Sequence, residues 1–335
     1  MQLRPRSSHS RATWALLAAT SIATAVHAAL PMGPLDLTGY AGGDGAISVQ
    51  RMGDTVDPYF GLQALLLAHE FGLDVSPYAK PWAQWLIQRQ KPDATFDRFC
   101  RAGPVWAPCK TADADDALMA LWLRLLETMP SDLAHTPRWS ESHRASSRAL
   151  AALIDPSRGV YLVSPVYQHG LLMDNLEVWS YRPACVTGCP AQATTSDPLA
   201  QSILQVFWDG PSGRFLVSTQ PEQKWTNETF YPTHVTQVYP LLFDFQIKHT
   251  HALTHYRQWM KRHRTAWLAQ AKTDFSWGLV ALIALKFKDL QSAGCWMRET
   301  ASARGTSHWI VTDEVTLQVL LHRRVPAAGP DMPCG

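Results

Sequence analysis

The chain has 335 residues, of which 46% are hydrophobic and 17% charged, and its formal net charge is +2. That is ordinary globular composition, with enough apolar material for one large core or two small ones. The near-neutral charge excludes the positive field that nucleic acid or an anionic membrane surface would require.

The N-terminus reads as an export signal. Arg4, Arg6 and Arg11 precede an apolar stretch over residues 14–26, too short to span a bilayer comfortably. Val26-His27-Ala28 then places small residues at the −3 and −1 positions of a cleavage site. Residues 1–28 are therefore expected to be a signal peptide, 29–53 a Gly-rich strap without periodicity, and 54–335 a single domain in the periplasm or secreted. The six cysteines agree with an oxidising compartment. Six allow fifteen connectivities; sequence-local pairing predicts Cys100–Cys109, Cys185–Cys189 and Cys295–Cys334. No metal site is expected, because no CxxC pair or His partner stands at zinc-ligand spacing.

From residue 58 onward the chain is a series of apolar segments at helical period, separated by turn clusters. They fall near 58–72, 79–90, 115–129, 140–154, 174–181, 198–208, 228–245, 251–271, 275–287, 289–300 and 314–323. Two connections share Gly-x-aromatic-Leu-Val-Ser in register: Gly159-Val160-Tyr161-Leu162-Val163-Ser164 and Gly213-Arg214-Phe215-Leu216-Val217-Ser218. Repeated antiparallel helix pairs with no βαβ alternation predict an all-α fold, an (α/α)6 toroid of about six hairpins with short β-like connections. In each pair the second helix lines the ring and is apolar nearly all round, as residues 65–67 and 280–285 are.

Acidic residues stand at the start of each expected inner helix: Asp57; Asp113, Asp115 and Asp116; Asp174 with Glu177; Glu228; Asp274; and Asp313 with Glu314. A single acid in this place is a helix cap, stabilising by about 1 kcal/mol, and capping accounts well for Asp274 and Asp313. Three carboxylates within four positions exceed what a cap needs, since close like charges repel and raise a pKa. If the inner helices run parallel, all these acids converge on one mouth. Aromatic residues accompany them: Tyr59 and Phe60, Trp106, Trp179, Trp225, Phe230 and Tyr231, Trp277, Trp309. Acids and flat rings around one opening suit a carbohydrate, because aromatic faces stack on sugar rings and paired carboxylates drive glycoside hydrolysis. Arg98, Arg101, Lys224 and His234 stand in or near the same loops. No phosphate-binding Gly-rich loop, HExxH or GxSxG occurs, and no cofactor is expected.

This pattern resembles the six-hairpin glycosidase superfamily over most of residues 54–323. The stretch Asp113-Ala114-Asp115-Asp116-Ala117-Leu118 is similar to the Asp-Ala-Asp helix start of glycoside hydrolase family 8. Where that family carries its general-acid Glu before a Tyr-Gly pair, this chain has Phe60-Gly61-Leu62, and Asp57 is the nearest acid. The same stretch resembles, less closely, the DxDD motif of class II terpene cyclases, which would make Asp115 the acid. The expectation is an exported glycoside hydrolase acting on a poly- or oligosaccharide as a monomer, without stable membrane insertion once the signal is cleaved. Asp57, Asp113, Asp115, Asp116 and Glu228 are its candidate catalytic residues. Asp174, Glu177, Trp106, Trp179, Trp225, Tyr231, Asp274 and Trp277 are its candidate substrate contacts. A non-catalytic glycan-binding or envelope-assembly protein and a polysaccharide lyase are the alternatives on the same toroid.

Overall fold

Several helices begin where the sequence supplies a cap or a proline. The Asp57 carboxylate accepts the Tyr59 N–H and Pro58 occupies the first turn, so α1 spans Pro58–Glu70. Thr136 with Pro137, and Asp197 with Pro198, start two outer helices in the same way. The helices are α1, α2 (Ser76–Ile87), α3 (Asp115–Thr128), α4 (Pro137–Ala151), α5 (Leu172–Tyr181), α6 (Pro198–Phe207), α7 (Val235–Val238), α8 (Ala252–Ala269), α9 (Gly278–Lys286), α10 (Leu290–Glu299) and α11 (Val311–His322). The short α7 is extended by a π turn over Phe230–His234 and a 3-10 turn over Tyr239–Phe243. The structure is a computed structural model describing residues 32–112, 114–128, 136–181, 197–221, 228–247 and 250–334. All of these belong to one compact unit, Met32–Gly335. The expected signal peptide lies outside the described residues, and no described helix is long and apolar enough to cross a membrane.

Six inner segments close a ring. Helix α1 packs on α3, α3 on α5, α5 on the turn at Tyr239–Phe243, that turn on α9, α9 on α11, and α11 back on α1. Each inner segment but the last has an outer helix against it: α2, α4, α6, α8 and α10 respectively. The inner helices are buried nearly all round. All of Gly278–Ala284 is buried, whereas α8 buries only the stripe Tyr256, Trp259, Met260, Trp267 and Leu268.

The sixth position differs from a helical hairpin. Beside α11 runs the strap, which lacks helical period. The Val311 N–H donates to the Val49 carbonyl at 2.9 Å, and Gln318 bonds both the N–H and the C=O of Asp36. Gly33 sits so close to the His322 ring that a Cβ there would approach within 2.5 Å of it. The strap therefore takes the place of a sixth outer helix and closes the circle.

The repeated connections explain how the inner helices stay in step. In each, a glycine turns the chain in the left-handed region, Gly159 at φ 69° and Gly213 at φ 64°. The aromatic residue after it then bridges back to the preceding helix end, Tyr161 to Ile154 and Phe215 to Trp208. The valine two residues further on gives its carbonyl to the start of the preceding inner helix: Val163 to the Asp115 N–H at 2.8 Å, and Val217 to the Leu172 N–H at 3.0 Å. Val49 does the same for Val311, so the strap supplies the equivalent connection. These carbonyls satisfy N–H groups that every helix start leaves without an intrahelical partner. They also bring neighbouring starts to one level.

The first connection is larger, a hairpin of Asp97–Ala102 with Val105–Thr111 to which Thr55–Val56 adds a third strand. Cys100–Cys109 bridges it, and Cys295–Cys334 ties the C-terminal tail to α10. Cys185 and Cys189 lie outside the described residues. The two loops differ in length, with separations of 9 and 39 residues. Removing Cys295–Cys334 by paired Ser substitutions is expected to lower stability by about 4 kcal/mol, against about 2.5 kcal/mol for Cys100–Cys109. Urea denaturation of the two variants tests the order, and the reverse order would show the tail contributing little.

Candidate active site

A cavity of about 930 Å³ opens among the starts of the six inner segments. Every one of them contributes to its wall: Asp57, Tyr59 and Gln63 from α1; Ala114 and Leu118 around the start of α3; Met173 and Asp174 from α5; Tyr231, Thr236 and Tyr239 from the fourth segment; Asp274, Phe275 and Trp277 before α9; and Thr312 and Asp313 from α11. The convergence expected from parallel inner helices is thus present as a physical cavity.

Among the acids, Asp57 is held on both sides. One carboxylate oxygen caps α1 at 3.1 Å from the Tyr59 nitrogen, and the other meets Nε of Arg98 at 2.6 Å. Arg98 comes from the Asp97–Ala102 strand and also lines the cavity. Asp174 lies in the first turn of α5 and lines the wall, as does Asp274. Asp313 is buried and acts as a brace: its oxygens accept the Gly278 N–H at 2.8 Å and the Ile310 N–H at 3.2 Å, joining α9 to α11. Burial raises its pKa to about 7, against those backbone hydrogen bonds.

Neighbouring acids of the α3 start diverge. Asp115 does not line the cavity; its charged neighbours are Lys91, Asp93 and Asp97, and burial raises it to about 6. Asp116 turns into the ring interior, where burial raises it to about 8. Asp113 lies outside the described residues. Glu177, one turn beyond Asp174, is likewise buried beneath the cavity, and burial raises it to about 7 although two tyrosines and Gln63 hydrogen-bond to it.

The aromatic residues divide in the same way. Tyr231 stacks on Trp277 with ring centroids 5.2 Å apart and planes 27° from parallel, and Tyr231 remains 51% exposed. Both line the cavity. Trp179 is core: its ring packs edge-on against Phe245 and its Nε1–H donates to Asp197. Trp106 is buried beneath the Arg101 guanidinium, 4.1 Å from its ring centroid. Glu228 is solvent-exposed and meets Arg214 at 3.3 Å, so the acid leading the fourth segment stands off the cavity wall. For Trp106, Trp179 and Glu228 the positions differ from those the sequence suggested. A residue's nearness in sequence to a helix start does not set which side of the ring it faces. Trp225 and Lys224 lie outside the described residues. His234 packs beside Phe230 and His263 instead.

Two cavity residues escaped the sequence reading. Gln63 is the one polar side chain in an otherwise apolar turn of α1, four residues after Tyr59 and hence on its face, which is the signal that marks it. Tyr239 gives no such signal, because it precedes Pro240-Leu241-Leu242 and reads as core. No group of three or more His, Cys, Asp or Glu among the described residues is arranged to hold a metal ion.

Together these features define a helical toroid with an acid- and aromatic-lined cavity at the N-terminal ends of its inner helices. The fold is similar to that of a novel alpha-amylase from Clostridium perfringens, with a TM-score of 0.55 and 8% sequence identity over 86% of this chain and 94% of that one. No family model matches the chain, and no curated protein matches it. The likeness at that identity shows a shared fold.

Proposed function

We propose that the protein is an exported glycoside hydrolase acting on a poly- or oligosaccharide in this cavity. One observation carries the reading: carboxylates from separate inner segments, Asp57, Asp174 and Asp274, share a single cavity with the stacked Tyr231–Trp277 pair. A cavity of that size lies within the range of small-ligand sites. Asp174 donates the proton to the departing glycosidic oxygen. Asp57, whose Arg98 partner suits a carboxylate that stays ionised, faces the positive charge that develops at the anomeric carbon. Tyr231 and Trp277 stack on a sugar face while Asp274 takes its hydroxyl protons as hydrogen bonds. The disulfides fit an oxidising compartment, which agrees with export through a signal at residues 1–28.

The direct test is product analysis over a panel of neutral, acidic and amino-sugar glycans. Hydrolysis releases new reducing ends, and their loss in an Asp57→Asn, Asp174→Asn double variant is expected. Unchanged release would remove the assignment. A lyase would instead leave an unsaturated product absorbing in the near ultraviolet, and glycan binding without any product would leave a binding protein. Trp277→Ala is expected to raise KM by up to about tenfold with little change in kcat, the size of a lost stacking contact. An equal fall in kcat would place the ring in the transition state rather than in binding.

A further inference from the structure

Beneath the cavity floor is a polar cluster that these roles leave unused. Glu177 of α5 and Asp116 of α3 are 1% and 0% exposed. Oε1 of Glu177 accepts three hydrogen bonds, from Tyr59 Oη at 2.6 Å, Tyr239 Oη at 2.6 Å and Gln63 Nε2 at 3.1 Å. Gln63 Nε2 also donates to Tyr59 Oη at 2.9 Å, leaving that hydroxyl a single proton, which it directs at Glu177. Among the described residues, Oε2 of Glu177 has no hydrogen-bond partner, and the Asp116 carboxylate has no side-chain partner, only the backbone N–H groups of Asp116 and Ala117 acting on it. Tyr59, Gln63 and Tyr239 line the cavity, while the two acids behind them do not.

Both carboxyls are buried and the charge of Glu177 raises Asp116 further, so the fold favours a proton on the pair. The charged groups acting on Asp116 are Glu177 and Asp115, both acids. On Glu177 the cation is Arg124, from further along α3. Tyr59 and Tyr239 are held protonated by burial and by Glu177, with Asp174 adding to the effect on Tyr239. Burial raises Glu177 to about 7 and Asp116 to about 8, so the pair retains proton-accepting and proton-donating forms near neutrality. A purely structural filler at this place would be apolar, since burying a carboxyl costs its solvation.

We propose that Tyr59 is the cavity end of a proton relay in which Glu177 and Asp116 are the buried store, and that it takes the proton of the attacking water. The proposal rests on the hydrolase reading. In the step, the water oxygen forms the bond to the anomeric carbon as the glycosidic C–O bond breaks, and the departing oxygen receives the Asp174 proton. The water's proton moves to Tyr59 Oη, and the Tyr59 proton moves to Glu177 Oε1. Asp116 keeps the proton that the pair already holds, so Glu177 enters the step ionised and able to accept. After product release the store returns one proton to solvent and Asp174 takes one up, so no net proton is consumed. Tyr59 touches the reacting water; Glu177 and Asp116 are positioning residues that act through it.

The store and the reaction are tested separately on the full chain. Infrared difference spectra of the wild type against Asp116→Asn and against Glu177→Gln are expected to show a protonated carboxyl at pH 7 that Asp116→Asn removes and Glu177→Gln leaves in place. Its absence from the wild type at that pH overturns the store. In activity, Tyr59→Phe, which keeps the ring and its packing, is expected to lower kcat about a hundredfold or more with KM little changed. Asp116→Asn is expected to move the midpoint of the kcat–pH profile rather than abolish turnover. Tyr59→Phe with wild-type kcat, or Asp116→Asn with an unmoved profile, overturns the relay. If the wild type cleaves no glycan, the hydrolase reading fails and takes the step with it, while the infrared signal still decides whether the buried proton exists.

Discussion

Asp174→Asn is expected to lower kcat by about 10²–10⁴-fold while leaving KM within a few-fold, the effect of removing a general acid. The amide has the shape of the acid and preserves the first turn of α5, but it has no proton to give to a departing oxygen. The same variant is expected to recover much of its rate on glycosides whose leaving group needs no protonation, such as a fluoride. Recovery with activated substrates separates proton donation from binding, because a residue that only holds the sugar would impair both substrate types alike. A variant equally slow on both would move the donor's role away from Asp174 and onto another carboxylate of the cavity wall.

The second expectation concerns stability and pH. Asp116, Glu177 and Asp313 have pKa values raised by burial from 3.8, 4.5 and 3.8 to about 8, 7 and 7. A raised acid binds its proton more tightly in the folded state than in the unfolded chain. Its effect is therefore to destabilise the fold progressively as pH rises from the unfolded value through the folded one. Histidines lowered by burial, His263 to about 4 among them, act oppositely, and their contribution is complete once pH exceeds 6.5. Between pH 6.5 and 8 the acids alone set the slope, so stability falls. Asp116→Asn, which replaces a buried charge by a neutral group of equal size, is expected to stabilise the protein at pH 8 by several kcal/mol and to flatten that slope. Denaturant midpoints at the two pH values check it. A wild type more stable at pH 8 than at 6.5 would mean the pair reaches solvent when ionised.

Much of the architecture is written locally. Asp57-Pro58, Thr136-Pro137 and Asp197-Pro198 are helix starts that any chain context would honour, because a cap needs only its own next two or three residues. The repeat Gly-x-aromatic-Leu-Val-Ser is legible because its glycine must adopt a left-handed φ and its aromatic must reach back to the helix just left. The strap's kinship with those connections is not legible, since Gly45-Ala46-Ile47-Ser48-Val49 shares with them little beyond the valine carbonyl that meets Val311.

The site was readable as a set of acids and rings but not as an arrangement. Asp115 and Asp116 are adjacent in sequence, yet successive helical positions point about 100° apart. One therefore faces Lys91 and the other the ring interior. Trp179 and Trp277 both follow an acid by a few residues, and only Trp277, on a left-handed turn at φ 50° before α9, reaches the cavity. The sequence by itself determined the helices, their caps, the apolar faces and hence the ring, because each depends on periodicity and on residues within one or two turns. Which carboxylates share the cavity, which are buried beneath it, and that Tyr59, Gln63 and Tyr239 meet on one glutamate were decided only when the ring closed. Those contacts join residues between 62 and 118 positions apart, and only the rotation of each helix against its neighbours sets them.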